Sequence, residues 1–90
     1  MLRPVRSRQF KRDVRLAERR QLPQDKLRAL IKSLALKERL DPAYLDHPLR
    51  GRWRGYREAH IAPDWLLIYQ VVDDELRLAR TGRHSDLFRE

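Results

Sequence analysis

WLLIYQVV, residues 65–72, decides the fold. Eight consecutive residues that are nearly all apolar and β-prone fit a central strand covered on both faces. Turn chemistry closes it at both ends, with Ala62-Pro63-Asp64 before it and Asp73-Asp74 after it. On one side, Arg52 to Ile61 alternates in strand fashion. Tyr56, Glu58 and His60 share one face there, and Trp53, Arg57 and Ala59 the other. On the other side, Glu75 to Gly82 alternates again around Leu76 and Leu78. Three strands joined by short turns form an antiparallel meander.

Upstream of the meander the apolar period lengthens from two residues to about 3.6. Arg39 to Gly51 reads as a loop carrying Pro42, Pro48 and Gly51. Before it, Leu27, Leu30, Ile31 and Leu34 form a stripe that predicts a buried helix face running to about Lys37. Pro23 suits the first turn of that helix, and Leu22-Pro23 ends the one before. The preceding helix is capped by Ser7 and sets Phe10, Val14 and Ala17 on one face. Lys11, Arg12, Arg15, Arg19 and Arg20 occupy most of its other positions, so it is apolar on one side and basic on the other. Leu2 to Arg8 alternates loosely and predicts a short first strand. The class is therefore α+β: one domain over residues 1–90 in β-α-α-β-β-β order, an antiparallel sheet with an N-terminal helical hairpin packed on one face.

Composition narrows the function. Ninety residues make one domain with one modest core. No apolar run approaches the roughly 18 residues needed to span a bilayer, and Met1 to Arg6 lacks the apolar stretch of a signal peptide. Absence of cysteine excludes disulfides and thiolate metal sites, and fits a reducing cytoplasm. The formal charge is +8, from 21 Lys plus Arg against 13 Asp plus Glu. That excess favours a polyanionic partner. Arg50, Arg52, Arg54 and Arg57, interleaved with Trp53 and Tyr56, form the pattern expected for gripping phosphates and stacking bases. Lys11 and Arg15 on the first helix extend the candidate RNA surface.

The three histidines, His47, His60 and His84, all fall at the ends of elements, where a rigid scaffold presents polar groups. Imidazole suits RNA cleavage because one proton must leave the ribose 2′-hydroxyl and another must reach the departing 5′-oxygen. Histidine starts near the neutral pKa that both transfers favour. Arginine can stabilise the extra charge of the transition state, and Arg80 and Arg83 flank Thr81-Gly82 beside His84. The same histidines with Asp64 could instead hold zinc. However, only His60 and Asp64 stand at a ligand-like spacing, so no metal or other cofactor is expected.

DHPLRGRWRGYREAHIAPDWLLIY at Asp46 to Tyr69 and RTGRHSDLF at Arg80 to Phe88 closely resemble the YafQ-type branch of the RelE/ParE toxin superfamily. That resemblance implies a ribosome-dependent endoribonuclease that cleaves messenger RNA in the ribosomal A site. It also implies a cognate antitoxin, with the toxin alone a monomer and the complex hetero-oligomeric. Carried over by position, the family's functional set falls on His47, His60, Asp64, His84 and Phe88. The residues themselves leave acid and base unassigned: His84 is one partner, and His47 or His60 its complement. Asp64 could orient an imidazole, and Phe88 could stack on a base. Two other readings remain: a gyrase poison of the ParE kind, which needs no histidine constellation, and a basic nucleic-acid-binding module.

Overall fold

The computed structural model describes residues 1–88. The strands and α-helices follow in the order β1 (Arg3–Arg6), α1 (Arg8–Arg19), α2 (Gln24–Ala35), β2 (His47–Pro48), β3 (Arg57–Ala62), β4 (Trp65–Val72), β5 (Glu75–Gly82) and α3 (His84–Leu87). They build one sheet in the order β1-β5-β4-β3-β2. The apolar run is thus the middle strand of five, hydrogen-bonded to antiparallel neighbours on both sides.

Both faces of β4 are covered, and alternation divides them. Trp65, Leu67 and Tyr69 join Ala59, Leu76 and Leu78 under α1 and α2, where Phe10, Ala17, Leu27 and Leu30 complete the main core. Leu66 and Ile68 point the other way, into a smaller cluster closed by Leu87 of α3 and flanked by Trp53, Tyr56 and Phe88. The continuous apolar run reflects a strand that supplies both clusters.

The structure corrects the sheet in two respects. It is mixed, because β1 lies parallel to β5 in the register Arg3↔Glu75 to Arg6↔Leu78. Parallel neighbours cannot share a tight turn, and here the helical hairpin and the rest of the sheet separate them in sequence. The region expected to be loop also supplies an edge strand, β2, paired antiparallel with β3 through His47↔Glu58 and Pro48↔Arg57. β3 itself begins five residues later than the alternation suggested. Gly51–Trp53 forms a 3-10 turn, and Gly55 takes a left-handed φ of +94°, where an added β-carbon would lie 3.3 Å from Gln70 Nε2.

Ser7 caps α1 as expected, its Oγ accepting the Phe10 N–H at 2.9 Å. The same hydroxyl donates to the Ala79 carbonyl at 2.8 Å, fastening α1 to β5 where β1 ends. Beyond that point the free edge of β5 is closed by the buried carboxylate of Asp13, which accepts the Thr81 N–H at 3.2 Å and two prongs of Arg80 at 3.0 Å each. After β5 the chain enters α3, a four-residue helix that periodicity could not reveal. Asp86 holds it by accepting the Arg83 N–H at 3.0 Å and Arg20 Nη1 at 2.8 Å. Gly82 permits this close approach, since a β-carbon there would meet Asp86 Oδ2 at 3.2 Å. Among the described residues no helix is long and apolar enough to cross a membrane.

Candidate active site

Because Ala59 points under the helices, its neighbours Glu58 and His60 project from the opposite face of β3. Edge strand β2 sets His47 directly beside Glu58. The turn after β5 starts α3 with His84, beyond the strand that follows the Ala62-Pro63-Asp64 turn. Four separate segments thereby converge. The rings of His47 and His60 are stacked with centroids 6.1 Å apart, His60 and His84 stand 5.8 Å apart, and Phe88 continues the row 6.3 Å from His84.

Hydrogen bonds fix the two outer imidazoles. Asp64 Oδ1 accepts from His84 twice, from the backbone N–H at 3.2 Å and from Nδ1 at 3.1 Å. A carboxylate can only accept, so the proton sits on Nδ1 and Nε2 is left for chemistry. These contacts, the side-chain one first, hold the Asp64 carboxyl below its ordinary pKa. The pairing therefore supports the fold above the usual carboxylate pKa and is lost only as pH falls through the lowered value.

His47 faces acceptors at both nitrogens: the Leu45 carbonyl at 2.8 Å from Nδ1, and Glu58 Oε2 at 2.9 Å from Nε2. A neutral His47 serves one of these acceptors according to its tautomer, and a doubly protonated ring would serve both. Glu58 is 6% exposed at its side chain against 48% for His47, so the pair is anchored inside and open outside. Glu58 Oε1 and His60 Nδ1 are buried without a partner among the described residues. Such groups are costly unless water or a ligand meets them. Glu58, His60 and His84 also offer atoms within 4.8 Å of one another, a set that could hold a metal ion.

The sequence singled out every member of this row except Glu58. The signal for Glu58 was present, since it stands two residues before His60 on the same strand face. The arginines divide differently. Arg50, Arg52, Arg54 and Arg83 are exposed, the first three on the connection between β2 and β3 and the last beside His84. Arg57 turns toward the helix-side face, where its Nε donates to Asp46 Oδ1 at 2.7 Å. Arg80 is bound to Asp13 rather than to the histidines. Lys11 and Arg15 are exposed on α1, across the sheet from the imidazoles. Trp53 packs edge-on against Tyr56 at 5.2 Å, and Trp65 is core, donating from Nε1 to Thr81 Oγ1 at 2.9 Å.

A family model described as "Bacterial toxin of type II toxin-antitoxin system, YafQ" matches residues 2–89, nearly the whole chain. The chain belongs to the YafQ toxin family. Among its relatives is the mRNA interferase toxin YafQ of Escherichia coli K12, 48% identical over 81 residues that cover 89% of this chain and 88% of that one. The E. coli DinJ–YafQ complex contains a chain that superposes with a TM-score of 0.89 at 44% identity, covering 98% of this chain and 99% of its own. A metal-bound toxin from Helicobacter pylori superposes with a TM-score of 0.92 at 37% identity, covering 98% and 100%. This YafQ-family chain therefore shares the fold of those toxins over nearly its whole length.

Proposed function

We propose that this chain is an endoribonuclease toxin that enters the ribosomal A site, cuts the messenger RNA exposed there through its own 2′-hydroxyl, and is silenced by a cognate antitoxin. The observation that carries the reading is the row of three imidazoles on one open face, its two ends paired with carboxylates and His84 Nε2 without a partner among the described residues. His84 exchanges a proton at Nε2, and His47, beside Glu58, is its complement at the other end of the row. His60 stands between them, within reach of a phosphate bound across the row. Phe88 offers a face on which a base can stack. Arg83, Arg50, Arg52 and Arg54 carry the phosphate-gripping role, whereas Arg57 and Arg80 already have carboxylate partners. Lys11 and Arg15 serve a ribosomal contact on the far face.

The E. coli relative's name supports the nuclease assignment, and the DinJ–YafQ complex supports a protein inhibitor. A metal-assisted reading rests on Glu58, His60 and His84, and on the metal-bound H. pylori toxin. It differs in the nucleophile, which a substrate lacking the 2′-hydroxyl separates.

The purified chain, added to translating ribosomes, should produce new message ends within the A-site codon. Gyrase-linked DNA breaks, or retention on RNA without cutting, would contradict the proposal. Association should also weaken steeply with salt. Four neutralised phosphates on single-stranded RNA predict a loss of about 50-fold when salt is raised fourfold. Co-sedimentation with ribosomes checks this, and a flat response would remove the arginines from the binding surface.

A further inference from the structure

β2 is two residues long, and its second residue is a proline that cannot donate to the ladder. So short a strand cannot fix its own register, yet it carries His47 into the row of imidazoles. The residue before it is held far more firmly. Asp46 points to the helix side of the sheet, where Arg57 and Tyr69 stand directly opposite one another on β3 and β4. One carboxylate oxygen accepts from Arg57 and the other from the Tyr69 hydroxyl. Tyr69 belongs to the main core, and burial, followed by the Asp46 carboxylate, pushes its phenol above the ordinary range, so it stays a donor. Asp46 is itself largely buried, with 14% of its side chain exposed.

Alternation links the two faces. Asp46, Arg57 and Tyr69 grip on the helix side, while the next residues, His47 and Glu58, meet on the other. Leu45, in left-handed conformation, completes the hold by offering its carbonyl to His47 Nδ1. We infer that Asp46 is a positioning residue: clamped by Arg57 and Tyr69, it sets the register of β2 and thereby the place and orientation of the His47 imidazole. This rests on the proposed function only in treating His47 as part of the active row. It also accounts for Arg57, whose guanidinium is engaged by Asp46.

The test uses Asp46→Ala, Asp46→Asn and Tyr69→Phe, with His47→Ala as control. In Asp46→Ala, the ring signals of His47 in NMR spectra should shift or broaden while those of His84 hold. Single-turnover cleavage on ribosomes should fall by about tenfold to 100-fold, as expected for misplacement of a reacting group. Ribosome association should be unchanged. Asp46→Asn, which keeps an acceptor for Tyr69, should restore part of the rate and move the His47 signals back. If Asp46→Ala fails to fold, Tyr69→Phe removes a single hydroxyl and should still displace the His47 signals. Unmoved His47 signals in the folded variants overturn the inference. A His47→Ala chain that cuts at full rate overturns the active-site reading instead, whatever Asp46 does.

Discussion

Replacing His84 by alanine should lower single-turnover cleavage by about 100-fold or more, the usual range for losing a general acid or base. The melting temperature should barely move. His84 is exposed, and among the described residues its side chain contributes one hydrogen bond, to Asp64, besides its place in the row between His60 and Phe88. Helix α3 keeps its other fastenings, the Arg20–Asp86 bridge and the buried Leu87. Asp64→Asn should fall between wild type and His84→Ala, because an amide oxygen can still accept from Nδ1 but carries no charge to stabilise an imidazolium. Asp64 is ionised above its lowered pKa, so its support for His84 persists throughout the neutral range. The rate should follow a bell-shaped pH curve, as expected where one group must be protonated and another must not. Full activity in His84→Ala, or a chain that unfolds, would make His84 structural.

The fold was legible wherever side-chain period speaks. WLLIYQVV is the central strand, Ser7 is the cap, and Leu27 to Leu34 is the buried helix stripe. What escaped depends on distant partners. The parallel pairing of β1 with β5 joins residues about 70 positions apart, and no local pattern encodes it. β2 and α3 are too short to show a period, yet they deliver His47 and His84. The candidate site was legible as residue types at element ends, and the structure brings His47, His60, Asp64, His84 and Phe88 together. Sequence gave no means of sorting the arginines. Arg57 and Arg80 differ from their exposed neighbours only through Asp46 and Asp13, carboxylates 11 and 67 residues away.

If the substrate's own 2′-hydroxyl is the nucleophile, a single deoxyribose at the cut site should block the reaction there. Proton transfer between imidazoles and substrate can activate that hydroxyl only where it exists. The substitution removes one oxygen and leaves every phosphate for the arginines to grip, so ribosome and message binding should be nearly unchanged. A metal-bound hydroxide on Glu58, His60 and His84 would not need the 2′-oxygen. Messages with ribose or deoxyribose at that one position would be programmed into the A site, and their products compared. Cutting at the deoxy position should disappear, while the ribose control yields an end bearing a 2′,3′-cyclic phosphate that can later open to a 3′-phosphate. Cutting at the deoxy position at an undiminished rate would contradict the 2′-hydroxyl mechanism.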